Sequence, residues 1–365
     1  MKVAYYIGSL SRGGTESLML DICKKNDMAP FDILLIYRNE GNMSDAYRET
    51  GVQMIRIKPK RGRFISYLWQ LRRIVEQENI DVVHAQTLMN GVLAVFFLLG
   101  TKIRLVTSFH GFFNDWKSKI ARHIVLWGSD AACFVSGYER EWYVARSWCD
   151  RRKCYTVYNG VDFSKFELKN ERVRELENER MSRLCMVGNF VSVRTQIVLV
   201  KAIGVLKKRG IEDFDFYFIG RRDEIEPWRY DDCVRYCNDS NLTNVHFLGS
   251  RSDVPSLLKQ MDGFVYSTDH DTFGIAVVEA MAEGLPVVVN DHPVMKEVCG
   301  EANLAVQYYR SKDPADAADK IRELLIHIET SRKAAEANAA IIREKYSINR
   351  HIEHLSAVYE VCVSE

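Results

Sequence analysis

The stretch Gly263-Phe264-Val265-Tyr266-Ser267-Thr268-Asp269-His270-Asp271-Thr272-Phe273-Gly274-Ile275-Ala276-Val277-Val278-Glu279-Ala280-Met281, followed by Gly284, Pro286 and Val287-Val288-Val289, decides the fold. Gly263–Tyr266 reads as a short buried strand. A polar loop then carries Asp271 and Gly274, a helix begins near Ile275, Gly284 and Pro286 stop it, and Val287–Val289 is the next strand. Strand, helix and strand in this order make a parallel β-α-β unit. Free N–H groups at Phe273–Ile275, at the helix start, can cradle a diphosphate. Glu279, one turn in, can reach a pair of sugar hydroxyls. The plainer alternative is an acidic loop capping a helix, with Glu279 placed near the dipole.

The same rhythm extends in both directions. Strand patterns recur at Leu184–Val187, Phe214–Ile219, Val245–Leu248 and Leu304–Gln307 in the second half. In the first half they recur at Val3–Ile7, Ile33–Tyr37, Gln53–Ile57, Val82–Ala85, Arg104–Ser108, Ala132–Ser136 and Tyr155–Tyr158. Amphipathic stretches such as Ser17–Lys25 and Phe64–Glu78 lie between them. From Asp162 to Arg180 the alternation stops. The charged residues there (Glu171, Arg172, Arg174, Glu175, Glu177, Glu179, Arg180) read as a solvated helix or linker. Helices Ala315–Ile328, Arg332–Lys345 and Asn349–Val361 close the chain with no strand after them. The expected architecture is α/β, with two doubly wound, parallel-sheet domains, 1–165 and 180–345, facing a central cleft. Open parallel sheets bind ligands at the carboxyl ends of their strands, so one ligand per domain suggests a two-substrate enzyme.

Composition narrows the classes. The 365 residues suit two domains, and 47% apolar residues allow each a core. Fifty basic against 49 acidic residues leave a net charge of +1, without the basic excess of a nucleic-acid binder. Nine scattered cysteines contain no Cys-x-x-Cys pair, which argues for reduced thiols and against a zinc site. The run Leu88–Gly100 is too short to span a bilayer and reads as a buried helix. No secretory signal opens the chain, and a cytoplasmic protein is expected.

Three further segments sit at predicted strand ends. Gly8-Ser9-Leu10-Ser11-Arg12-Gly13-Gly14-Thr15-Glu16 fits neither Gly-x-Gly-x-x-Gly nor a Walker loop. Gly13 and Gly14 allow either close approach to an anion or a tight turn. Thr107-Ser108-Phe109-His110-Gly111 brings His110 to a strand end, where it can hydrogen-bond a substrate hydroxyl or serve structure alone. Val187-Gly188-Asn189-Phe190 closes a strand, and Arg194 follows at a predicted helix start, sensible opposite a phosphate.

Together these segments resemble glycosyltransferase family 4, retaining enzymes of the GT-B fold, over essentially the whole chain. The resemblance includes the glycine pair, His110, Asn159-Gly160-Val161-Asp162, Gly249 in Phe247-Leu248-Gly249-Ser250-Arg251-Ser252-Asp253-Val254, and the acidic-x7-Glu element from Asp271 to Glu279. It implies a nucleotide-sugar donor (UDP-, GDP- or ADP-linked) in the C-terminal domain and an acceptor in the N-terminal one. Glu279 would bond the ribose. Thr272, Phe273, Gly274 and Ile275 would contact donor sugar and phosphates. His110 would lie near the reacting centre, and Gly13 and Gly14 would close over the diphosphate. A final helix from Asn349 to 365 would cross back to the first domain. Two positions depart from the pattern. Asp271 stands where the family usually has Glu, and the phosphate-contacting Arg and Lys fall at Asn189 and Arg194. Arg221 or Arg222, after Gly220, offers compensation.

The nearest Asp-x-Asp, Asp269-His270-Asp271, overlaps the loop already assigned to the donor, so metal-independent transfer without a cofactor is expected, Arg194 and helix-end amides stabilising the leaving group. The resemblance implies retention by front-face attack on the donor, with a glycan or lipid-linked hydroxyl as acceptor. Alternatives are a nucleotide-sugar epimerase or phosphorylase on the same scaffold, and a non-catalytic nucleotide-sugar binder. Lys58, Lys60, Arg61 and Arg63, before Phe64, Tyr67 and Trp69, suit either an anionic membrane surface or a solvated loop leading to an ordinary core-facing helix.

Overall fold

A computed structural model describes residues 1–11, 13–166, 181–301 and 303–364. The chain divides into two compact units, Met1–Asp162 with Tyr346–Glu365, and Phe163–Lys345. The charged stretch 171–180 lies outside the described residues. Ahead of it, Phe163 and Phe166 are buried in a 3-10 turn of the second unit.

In the first unit, β1 (Lys2–Ser9), α1 (Gly14–Lys24), β2 (Asp32–Asn39), α2 (Ser44–Arg48), β3 (Gln53–Arg56), α3 (Phe64–Gln77), β4 (Val82–Ala85), α4 (Leu88–Leu98), β5 (Arg104–Phe109), α5 (Trp116–Gly128), β6 (Ala131–Phe134), α6 (Gly137–Val144) and β7 (Cys154–Thr156) follow one another. The sheet order is β3-β2-β1-β4-β5-β6-β7, with parallel pairing. Alternation along β1 serves two cores at once, since successive side chains leave opposite faces. Val3, Tyr5 and Ile7 pack with α1, whereas Ala4 and Tyr6 pack with α3 and α4. Helix α4 is mostly buried, and Gly91 lets it settle on β5: a Cβ there would come within 2.9 Å of the Thr107 methyl.

The second unit contains β8 (Ser182–Val187), α7 (Gln196–Lys208), β9 (Phe214–Ile219), α8 (Trp228–Asp239), β10 (Val245–Gly249), α9 (Val254–Leu258), β11 (Gly263–Tyr266), α10 (Ile275–Ala282), β12 (Val287–Asn290), α11 (Pro293–Cys299), β13 (Val306–Tyr309), α12 (Pro314–Ile326) and α13 (Ile328–Lys345). Its order is β10-β9-β8-β11-β12-β13, again parallel. The chain then returns to the first unit as α14 (Ile348–Ser364). There Ile352, Leu355, Val358 and Tyr359 join the Tyr5 core. Gly160 makes that return sterically feasible, because a Cβ would meet Ile348 Cα at 2.7 Å.

Some boundaries differ from expectation for local reasons. Strand β13 starts two residues late because Asn303 Oδ1 accepts from the amides of Ala305 and Val306 and holds them in a turn. Ser136, expected in a strand, instead caps α6 by accepting from the Glu139 amide. Helix α1 begins at Gly14 rather than Ser17, with extended Gly13 as its cap.

Candidate active site

In the second unit the chain leaves β8 toward β9 on one side and resumes at β11 on the other. The carboxyl ends of β8 and β11 thus flank the point where strand order reverses, where an open α/β sheet leaves a crevice. Gly188-Asn189 extends from β8 and Ser267–Gly274 from β11. The two are stitched together: Thr195 Oγ1 and Ser267 Oγ lie 2.6 Å apart, Asp269 N donates to Val193 O, and Thr268 Oγ1 donates to the same carbonyl. Asn290, at the end of β12, accepts from Thr268 N and donates to Thr268 O, so the loop is bracketed from both strands.

The loop delivers the chain into α10 through Gly274 in the left-handed region, φ 88°. There is no room for a side chain, since a Cβ would lie 2.8 Å from Met295 Cε. The first amides of an α-helix lack intrahelical acceptors, so Ile275 and its neighbours present N–H groups at the crevice. Phe273 contributes only backbone there, because its ring is buried. Thr272, Ile275 and Glu279 are partly exposed, Glu279 one turn into the helix.

Asp271 and Arg194 meet each other. Arg194 Nη1 lies 3.1 Å from Asp271 Oδ2, in a charge contact without directional hydrogen-bond geometry. The guanidinium stacks over Tyr266 at 5.2 Å, and Tyr266 donates its hydroxyl to Asp271 Oδ2 at 2.6 Å. Burial opposes the Arg194 charge, Tyr266 and Asp271 support it, and its pKa moves upward. Asp271 Oδ1 also accepts from the Thr272 amide. Asn189 is exposed, but its Oδ1 is occupied by the Arg221 amide at 3.0 Å.

In the first unit, order reverses between β1 and β4. The loop after β1 is clamped by Leu10 N donating to Asn39 O and Met43 N donating to Leu10 O. Gly14 faces open space, and Gly13 has only the Glu16 carboxylate near it. His110, after β5, is half-buried, with Nε2 3.3 Å from Gln86 Oε1 after β4. Burial first, then the neighbouring His351, pushes its pKa down to about 4.

The structure thus brings Asn189, Arg194, Asp271–Ile275 and Glu279 to one end of the second sheet, and Gly13, Gly14 and His110 to the corresponding end of the first. Sequence reasoning passed over Tyr266, Asn290 and Gln86. Tyr266 and Asn290 end strands and Gln86 directly follows one, all at carboxyl edges, which is the signal available in sequence. It also passed over His292, whose pKa burial lowers although Asp271, Asp269 and Asp291 oppose the shift. Among the described residues, no group of three His, Cys, Asp or Glu side chains is placed to hold a metal ion.

Comparison with known proteins bears on the family and the fold. The family model "Glycosyltransferase Family 4" matches residues 12–165, and the model "Glycosyl transferases group 1" matches residues 182–327. The UDP-Gal:alpha-D-GlcNAc-diphosphoundecaprenol alpha-1,3-galactosyltransferase of Escherichia coli is 26% identical over 72% of each chain. The capsular polysaccharide biosynthesis glycosyltransferase CapH of Staphylococcus aureus is 21% identical over 77% of this chain and 78% of that one. Among solved structures, Anabaena HepE in complex with UDP and glucose superposes with a TM-score of 0.85 at 16% identity, covering 99% of both chains.

Proposed function

Since this chain belongs to glycosyltransferase family 4, we propose that it moves a sugar from a UDP-, GDP- or ADP-linked donor to a hydroxyl of a glycan or lipid-linked acceptor in surface polysaccharide synthesis, with retention and without a metal. The donor is held by the second unit and the acceptor by the first. The observation that carries the reading is the glycine-turned start of α10 at the strand-order reversal, with Glu279 one turn behind it. Amides of Gly274 and Ile275 hold the diphosphate and stabilise it as it leaves, because fixed donors at a developing charge need no reorganisation. Glu279 accepts from the ribose hydroxyls. His110 and Asp271 are the residues assigned to the reacting centre. The ring of His110, neutral near pH 7 with a pKa of about 4, can meet a sugar hydroxyl without the cost of a buried charge. Asp271, held by Tyr266 and Arg194, sets the loop Thr272–Ile275. Support comes from the relatives, one named for a diphosphoundecaprenol-linked substrate and one for capsular polysaccharide biosynthesis.

The test is thermal shift with UDP, GDP and ADP, followed by donor turnover. A ligand that binds only the folded chain raises its Tm, and one of the three is expected to do so. Glu279→Ala removes two charge-assisted hydrogen bonds, so affinity should fall roughly 100-fold and turnover should vanish into background. A fully active Glu279→Ala enzyme, or donor converted without any acceptor, refutes the assignment.

We assign a cytoplasmic site of action, at the inner membrane face. Lys58, Lys60, Arg61 and Arg63 are all exposed. So are Phe64 (54%), Ile65 (83%) and Trp69 (62%), which together with the cations form an apolar and basic edge. Tyr67 drops out of this surface: it is buried, with its hydroxyl 2.7 Å from that of Tyr6. No helix among the described residues is long and apolar enough to cross a membrane. Reversing Lys60 and Arg61 to Glu should abolish flotation with vesicles containing anionic lipid, at about 1 kcal/mol per cation lost. Flotation that is unchanged by the reversal removes this contact from the proposal.

A further inference from the structure

A diphosphate held by amides alone is short of positive charge, and the loop that follows β8 does not supply it in an obvious way. Position 189 is a neutral asparagine. Arg194 lies beneath the backbone, close enough that a Cβ on Gly188 would be 3.3 Å from its Nε, and its charge is spent on Asp271. Two arginines stand at the neighbouring strand end, after Gly220. Arg222 is committed, with Nε and Nη2 donating to the two carboxylate oxygens of Asp231 at 2.8 and 2.7 Å. Arg221 is exposed, and its guanidinium makes no hydrogen bond or ion pair among the described residues. The carboxylate that feels its field, Asp223, is already engaged by the amides of Ile225 and Glu226.

The backbone of Arg221 is held on both sides. Its amide donates to Asn189 Oδ1 at 3.0 Å, and its carbonyl accepts from Phe190 N at 3.1 Å. The ends of β8 and β9 also approach so closely that a Cβ on Gly220 would fall 2.1 Å from Gly188 O. Arg221 therefore starts one strand spacing, about 4.8 Å, from position 189. That is less than the length of an extended arginine side chain.

We propose that Arg221 is the cation that meets the donor diphosphate in this chain, and that Asn189 is a positioning residue whose side chain fixes the backbone from which Arg221 reaches. The charge is moved from β8 to β9, and Asn189 becomes the bracket. This rests on the donor-binding reading given above.

Binding of UDP, GDP and ADP, each beside its parent nucleoside, tests the assignment by calorimetry on the full chain. Arg221→Ala should weaken the bound nucleoside diphosphate about 10- to 100-fold, the range of one lost charged hydrogen-bonding partner. It should leave the nucleoside within about 2-fold and flatten the salt dependence of the diphosphate. Arg222→Ala should change neither. Asn189→Arg in the Arg221→Ala background returns the charge to the first strand and should recover most of the lost affinity. The unliganded Tm should stay constant for Arg221→Ala, because the side chain is exposed. If Arg221→Ala binds diphosphate normally while Glu279→Ala does not, the Arg221 assignment falls and the donor site stands. Equal losses for nucleoside and diphosphate also overturn it. If no nucleoside diphosphate binds the wild-type chain, both readings fall together.

Discussion

Asp271→Ala is expected to destabilise the second unit by about 3–5 kcal/mol, because it strands a buried guanidinium without its counter-charge. Arg194 faces Asp271 at 3.1 Å and Tyr266 on its other side, and the Tyr266 hydroxyl loses its acceptor in the same substitution. A buried polar group left unsatisfied adds its own desolvation penalty. Unfolding of this unit can be followed through Trp228, its one tryptophan between residues 163 and 345, once the five tryptophans of the first unit are replaced by Phe in both wild type and variant. Asp271→Asn keeps an acceptor for Tyr266 and Thr272 but drops the charge, and should fall between wild type and Asp271→Ala. Removing both charges, as Arg194→Met with Asp271→Leu, should recover much of the loss, since well-packed apolar residues often match a buried ion pair. Donor turnover should not return with it, because the loop leading to Gly274 loses its anchor. An Asp271→Ala chain as stable as wild type would show that Arg194 does not depend on this carboxylate.

The second large effect is on pH. His84, His110 and His351 all lie in the first unit, and burial holds each below the usual 6.5, His110 and His351 at about 4 and His84 well below its ordinary value. His84 is enclosed by hydroxyls, with Nδ1 2.6 Å from Tyr359 Oη and Nε2 2.8 Å from Ser108 Oγ; the Tyr359 hydroxyl also meets that of Tyr5 at 2.9 Å. His351 Nδ1 donates to Tyr158 O at 2.7 Å. Between the folded and unfolded values the unfolded chain binds more protons, so stability rises with pH there and is lost as pH falls from 6.5 toward 4. For His351 alone the loss from about pH 7.5 to about pH 5 is on the order of 2 kcal/mol. Urea midpoints of the first unit should therefore drop steeply across this range, and His351→Asn should flatten the slope while keeping an N–H near Tyr158 O. A midpoint constant from pH 7.5 to 5 would mean that these rings charge without penalty. The return of α14 to the first unit is most exposed to this titration, since His351 and Tyr359 both belong to it.

The sequence reading of the candidate site matches the structure where backbone conformation decides the geometry. Gly274 and the helix start were legible because a left-handed turn into a helix needs glycine, and the amides follow whatever the side chains do. Side-chain destinations were less legible. Thr272–Ile275 read as one contact loop, yet Phe273 turns its ring inward because the adjoining helix presents an apolar face. For Tyr67 the sequence left a membrane-facing surface and a core-facing helix both open, and the i, i+4, i+8 row of Tyr67, Leu71 and Val75 is the buried face of α3. Arg194, expected opposite a phosphate, also faces Asp271, which is brought alongside because β8 and β11 are neighbours in space though distant in the chain.

The amino-acid order alone determined the alternation of strands and helices, the parallel two-unit class and the glycine-turned loop, because hydrophobic period, helix stops and backbone permissiveness are local properties. Only the tertiary structure decided which cations are spent and which are free. Arg194 is neutralised by Asp271 in the loop after β11, Arg222 by a residue on α8, and Arg221 is left exposed with its amide on Asn189. Charge pairing depends on distances of a few ångströms between groups that the sequence keeps far apart, and no local pattern encodes those distances.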